Sequence, residues 1–141
     1  MSEPGHVEIL LVEDNPRDAE LTLRAFKQHN LTSSVLVARD GAEALDIMRG
    51  RTGADRPKVI LLDLKLPKVD GLDVLRQLKS HEETRVIPVV VITSSNQDPD
   101  LKAAYDLGAN SYVVKPVDFE TFMKTMSHLG FYWLVVNQVS M

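Results

Sequence analysis

Five reactive side chains in this sequence stand at the ends of short apolar runs. Glu13 and Asp14 follow the run Val7 to Val12, and Asp63 follows Val59-Ile60-Leu61-Leu62. Thr93 follows Val89-Val90-Val91-Ile92, and Lys115 follows Val113-Val114. Carboxylates are hard oxygen ligands that suit Mg²⁺ or Mn²⁺. A carboxylate can also act as a nucleophile, a hydroxyl can donate to a phosphoryl oxygen, and an ammonium can offset the charge. Together these are what phosphoryl transfer needs: a nucleophilic oxygen, a cation, and donors placed for the equatorial oxygens. Each residue alone has a plainer reading. An Asp past a strand is commonly a loop residue or a helix cap, Asp14 included, and Lys115 before Pro116 reads equally as a solvated turn lysine. What favours chemistry is that four of five strand ends carry suitable groups, in order.

The elements that position these groups follow from periodicity. The runs at 7–12, 35–38, 59–62, 89–92 and 112–114 are short, rich in β-branched residues and nearly continuous in apolar character. That is how strands buried on both faces read, as in a parallel sheet. Between them lie segments of helical spacing: Leu21, Leu23 and Phe26; Ala42, Ala44, Leu45 and Met48; Leu72, Val74, Leu75 and Leu78; Leu101, Ala104, Tyr105 and Leu107; and Phe119, Phe122, Met123, Met126 and Leu129. Pro16 and Pro99 suit first helical turns, Asp98 and Asp118 suit N-caps, and Gly108-Ala109-Asn110 suits a helix C-terminus. The segment 49–57 reads as one polar loop. Five alternating strand–helix units predict an α/β fold, a parallel sheet with helices on both faces and right-handed crossovers. The C-terminal strand ends then share one edge, outside which ligands of open α/β sheets bind.

Composition narrows the function. The 141 residues suit one domain, and 44% hydrophobic with 26% charged residues is an ordinary globular balance. A net charge of −4 gives no support for nucleic-acid or anionic-membrane binding. With no cysteine, disulfides and thiolate metal sites are excluded, and a reducing compartment is suited. No secretory signal is visible at the N-terminus, and no run approaches the ~20 apolar residues of a membrane helix. The expectation is a cytoplasmic protein with no nucleic-acid and no membrane partner.

At these residues the chain resembles the receiver domains of two-component response regulators, of the CheY-like superfamily. Val-Glu-Asp-Asn at 12–15 is similar to the family's acidic pair, and the segment 61–71, from Leu61 through Asp63 to Gly71, to its phospho-acceptor segment. Ile-Thr-Ser-Ser at 92–95 resembles the switch-hydroxyl segment and Val-Lys-Pro at 114–116 the lysine–proline pair. The match covers about residues 7 to 129. It implies a polar extension at 1–6, the receiver at 7–129, and an apolar extension of the last helix at 130–141. The wording around Asp63-Leu-Lys-Leu-Pro, with the tail, most resembles the single-domain subgroup associated with bacterial phytochromes.

The resemblance implies a flavodoxin-like (βα)5 fold with a five-stranded parallel sheet in the order 2-1-3-4-5. That order makes strands one and three neighbours, so Glu13, Asp14 and Asp63 converge on a cation, Mg²⁺ or Mn²⁺. It also implies roles. Asp63 accepts a phosphoryl group from a kinase phosphohistidine. Asp14, Asp63 and the main-chain carbonyl of Lys65 ligate the metal directly, and Glu13 acts through a metal-bound water. Lys115 holds an oxygen of the carboxylate and then of the phosphoryl group. Thr93 swings toward that group, Tyr112 is the rotating aromatic, and Pro116 follows a cis peptide. The protein is then a signalling switch and not an enzyme beyond self-phosphorylation and slow self-dephosphorylation. Its partners are a sensor histidine kinase, in the subgroup a bacterial phytochrome, and a downstream protein.

The Lys65 side chain, two residues past the acceptor, reads either as a partner of the phosphoryl group or as a solvated lysine. Ser95, two residues past Thr93, stands at the other position where family members tune hydrolysis of the acyl phosphate. The alternative output role is a phosphorelay intermediate or phosphate sink. An aspartyl-phosphate hydrolase wants an acid where Lys65 stands. A flavin or nucleotide binder wants a phosphate-cradling loop where the chain has Glu13-Asp14-Asn15-Pro16. The run Phe131-Tyr132-Trp133-Leu134-Val135-Val136 reads as closing the core of its own helix or as a surface for a homodimer through the last helix and tail. His6, His29, His81 and His128 have no metal-ligand spacing and read as surface or half-buried residues.

Overall fold

The computed structural model describes residues 8–28, 35–66 and 69–128, leaving aside the side chains of Ala54 and Met126. The strands are β1 (Ile9–Val12), β2 (Val35–Ala38), β3 (Val59–Asp63), β4 (Val89–Thr93) and β5 (Ser111–Val114). The helices are α1 (Pro16–Lys27), α2 (Gly41–Arg49), α3 (Gly71–Ser80), α4 (Asp100–Asp106) and α5 (Phe119–His128). All neighbours pair in parallel and the sheet order is β2-β1-β3-β4-β5, as the resemblance implied.

The continuous apolar runs are explained by packing. Every residue of β1, β3 and β4 is buried, whereas the edge strands β2 and β5 are only partly so. Side chains alternate between two cores. Leu10, Val12, Ile60, Leu62, Val89 and Val91 face Leu45, Met48, Leu75, Leu78 and Leu101. Ile9, Leu11, Val59, Leu61, Val90 and Ile92 face Ala19, Phe26 and Phe122. In the second core the rings of Phe26 and Phe122 lie 4.7 Å apart and tie α1 to α5 on one face of the sheet.

Helix starts are set by short polar side chains that satisfy otherwise unpaired backbone N–H groups. Asn15, not Asp14, caps α1: its side chain accepts from the N–H of Arg17 and Asp18, and Pro16 occupies the first turn. Asp118 caps α5 by accepting from Thr121 N–H at 2.7 Å. The expectation for α4 is corrected. Pro99 takes the N-cap position with no side-chain cap bond and the helix begins at Asp100, while the capping hydrogen bond is made by Asp98, whose Oδ1 accepts from Asp100 N–H. The polar loop 49–57 contains a short 3₁₀ turn at Gly53–Asp55. The extensions at 1–6 and 130–141, Val7, His6, His29, Leu129 and Trp133 lie outside the described residues. Among the described residues no helix is long and apolar enough to cross a membrane.

Candidate metal and phospho-acceptor site

Ladder hydrogen bonds carry the site residues into place. Asp63 is the last residue of β3, in register with Ile92, and Thr93 the last of β4, in register with Val114. Both were read as following their strands; each is instead held by one further rung of pairing. Glu13 and Lys115 stand one residue past theirs, yet their N–H groups donate to Ala38 and Thr93 carbonyls at 2.9 and 2.8 Å. All four backbones are therefore fixed by the sheet. Gly71 completes the seat. A Cβ there would run into the backbone of Leu64 and come within 2.6 Å of the Asp63 carbonyl oxygen, so only glycine lets α3 start against the end of β3.

These residues line a cleft of about 180 Å³ with Asp14, Asp18, Leu64, Lys65 and Asp98. Ligand oxygens of Glu13, Asp14 and Asp63 lie within 4.8 Å of one another. Two oxygens on opposite sides of a Mg²⁺ at its usual ~2.1 Å stand about 4.2 Å apart, so this donor set fits a divalent cation after a small closure. Glu13 and Asp63 are buried and Asp14 is exposed, which leaves room for water ligands. The Lys65 carbonyl belongs to the same loop. Lys65 N–H donates to Asp63 Oδ1 at 2.9 Å, and its side chain is exposed.

The ammonium of Lys115 is shared by three carboxylates: Asp63 Oδ2 at 2.8 Å, and Glu13 Oε1 and Asp18 Oδ2 at 3.0 Å. Burial alone would lower its pKa, but the hydrogen bonds it donates to Asp63, Asp18 and Glu13 hold it above the ordinary lysine value. Glu13 is also raised, but there burial is the main cause. Burial, reinforced by a hydrogen bond with Asp63, pushes its carboxyl up to about 7 against the pull of Lys115. Burial first, and the neighbouring Asp63 second, thus favour the neutral form of Glu13.

Thr93 is buried, and its hydroxyl lies 3.0 Å from both the Ser95 carbonyl and Asp98 Oδ2. Tyr112 is half-buried, with its ring edge-on to Tyr105 at 6.4 Å. The Lys115–Pro116 peptide is cis. His81 and His128 are exposed and away from the carboxylates; His81 Nδ1 pairs with the Gln77 carbonyl. The sequence reading used Asp98 only as a helix cap and gave Asp18 no role, whereas both enter the site. For Asp18 the available signal was its place one turn after the acidic pair.

The sheet order, the acidic cleft and the shared lysine define a doubly wound α/β fold with an acidic site at the carboxyl ends of its strands. The chain matches the response regulator receiver domain model over residues 9–127 and belongs to that family. It is 48% identical over 132 residues to the probable methanogenesis regulatory protein FilR2 of Methanothrix harundinacea (strain 6Ac), covering 92% of this chain and 85% of that one. The solved bacteriophytochrome response regulator AtBRR is 53% identical with a TM-score of 0.81, covering 92% and 96% of the two chains. The phosphorylated cyanobacterial phytochrome response regulator RcpA is 37% identical with a TM-score of 0.73, covering 92% and 94%. The Mn²⁺-bound form of the response regulator Rcp1 is 34% identical with a TM-score of 0.70, covering 91% and 94%.

Proposed function

We propose that this receiver accepts a phosphoryl group on Asp63 from a histidine kinase in a Mg²⁺- or Mn²⁺-dependent reaction and thereby switches partner binding. The observation that carries the reading is the state of Asp63. Its carboxylate is buried, with one oxygen on Lys115 Nζ and the other on Lys65 N–H. It is also one of three clustered acids. Asp14, Asp63 and the Lys65 carbonyl would hold the cation, with Glu13 acting through one of its waters. Bound there, the cation supplies the positive charge that lets a phosphate approach this acidic cleft. Rcp1 in its Mn²⁺-bound form and RcpA in its phosphorylated form support both halves of the reading.

In the transfer, an Asp63 oxygen attacks phosphorus and forms an acyl phosphate as the bond from the kinase histidine nitrogen to phosphorus breaks. Lys115 passes from the carboxylate to a phosphoryl oxygen, and Thr93 turns toward another. The added charge of roughly −1.5 to −2 brings acceptors that these donors satisfy only by moving. That movement changes the packing available to Tyr112 and so the preferred state of the surface formed by α4, β5 and α5. The protein acts as a switch in the cytoplasm and turns over no substrate beyond its own phosphoryl group. The likeness to AtBRR and RcpA favours a phytochrome-type kinase as donor. Use as a phosphorelay intermediate or phosphate sink requires the same chemistry.

The test is intact mass after incubation with Mg²⁺ and a small acyl-phosphate donor. The wild type gains one phosphoryl group, Asp63→Asn gains none, and a chelator abolishes the gain. A folded wild type that gains none, even from a cognate kinase, overturns the reading.

A further inference from the structure

The Thr93 hydroxyl is already committed in this structure. It carries a single proton, and two acceptors lie equally close, the Ser95 carbonyl and Asp98 Oδ2, each at 3.0 Å. Its oxygen meanwhile lies 3.3 Å from the N–H of Ser95. Building on the reading above, we propose that Asp98 is a positioning residue that holds Thr93 in the unphosphorylated state. Switching is then a competition between two anions, the Asp98 carboxylate and the phosphoryl group on Asp63, for one hydroxyl proton.

Two observations make the competition effective. Asp98 and Asp63 line the same cleft, so charge added at Asp63 faces the Asp98 carboxylate. Phosphorylation therefore draws the hydroxyl away from Asp98 and repels the group left behind. Asp98 is also woven into the start of α4. Its Oδ1 accepts from Asp100 N–H at 2.9 Å, its own N–H donates to the Ser95 carbonyl at 3.2 Å, and its carbonyl accepts from Leu101 N–H at 3.1 Å. An Asp98 that loses Thr93 and is pushed outward takes the first turn of α4 with it. The loop after β4 then transmits the event to α4 directly, beside any route through Tyr112.

The experiment measures Mg²⁺-dependent binding of beryllofluoride, a phosphoryl mimic, to the full chain. Removing one competing hydrogen bond by Asp98→Ala should tighten binding about fivefold. Asp98→Asn keeps an oxygen for Asp100 N–H but turns its NH₂, a donor, toward Thr93, so it removes the competing acceptor without disturbing α4 and should tighten binding by a similar factor. In a Thr93→Ala background both gains should vanish. Unchanged affinity in the Asp98 variants, or a gain of equal size without the Thr93 hydroxyl, overturns the proposal. A second readout needs no phosphoryl chemistry. In the metal-free protein the Thr93 hydroxyl proton should exchange slowly with solvent and lose that protection in Asp98→Ala. If wild type and Asp63→Asn bind beryllofluoride alike, the receiver reading itself fails, and the hydroxyl proton still decides whether Asp98 holds Thr93.

Discussion

Asp63 Oδ2 accepts a hydrogen bond of 2.8 Å from Lys115 Nζ, a residue 52 positions later in the chain. One ammonium thus sits among the carboxylates that the proposed function assigns to a cation, and the two would compete for their charge.

Replacing Lys115 by Gln should therefore have opposite effects on fold and metal binding. Without metal, buried Glu13 and Asp63 lose their counter-charge, and unfolding by urea should show a loss of about 2 kcal/mol, since unpaired buried charge is costly. A titration of Mg²⁺ should show affinity tightened about threefold or more, because a competing positive charge is gone. Weaker Mg²⁺ binding in Lys115→Gln would mean that the lysine and the cation do not compete.

The raised Glu13 pKa gives a pH signature. A carboxyl held near 7 when folded, against 4.5 when unfolded, contributes stability that is fully present below 4.5 and lost as pH rises through 7. Relative to Glu13→Gln, the metal-free wild type should lose melting temperature between about pH 5 and pH 8. A carboxylate that holds a metal-bound water attracts the cation only when ionised, so Mg²⁺ affinity should rise over the same interval. Parallel melting curves for the two proteins would show that Glu13 holds no such proton.

Gly71→Ala should be among the most damaging small substitutions, because the added methyl meets backbone of Leu64 and Asp63 that a rotamer change cannot move. A loss of about 3 kcal/mol is expected, with slower phosphoryl uptake. Gly50→Ala is the control. Its Cβ would find only ordinary contact, 3.4 Å from the Asp46 carbonyl oxygen, and stability should stay within about 0.5 kcal/mol.

The opposite edge of the sheet offers a contrast. Lys79 Nζ donates to the Arg85 and Ile87 carbonyls at 2.9 Å and to Asn110 Oδ1 at 3.4 Å, which ties α3 to the loops before β4 and β5. Lys79→Met removes this donor from the two carbonyls, while Asn110 Oδ1 keeps the Val89 N–H, and should lower stability by about 1–3 kcal/mol. Phosphoryl uptake, measured by mass, should match the wild type. A large loss of uptake would reveal coupling between the two edges.

Much of this was legible before any coordinates. Burial on both faces writes itself as unbroken apolar runs, so β1, β3 and β4 and the acids at their ends could be read directly. Strand order could not, because nothing in the local pattern says that β1 sits beside β3; that came from the resemblance. Asp18 and Asp98 were hidden for a different reason. An aspartate near a helix start is explained by capping alone, and only the fold shows that Asp18 meets Lys115 and that Asp98 meets Thr93. The same ambiguity misplaced the N-cap position of α4 by one residue.

The parallel order of the strands also bears on how the protein is made. β1, β2, β3 and β4 can all pair before residue 111 leaves the ribosome, and the carboxylates of Glu13, Asp14 and Asp63 then already face one another. The ammonium that offsets them arrives with the last strand to be synthesised, through the rung from Lys115 N–H to the Thr93 carbonyl. A nascent chain short of that rung carries an unbalanced acidic edge. If the sheet pairs in the order of synthesis, docking of β5 is the step that brings the offsetting ammonium, so a chain truncated before it carries a charge defect along the carboxyl edge of its sheet.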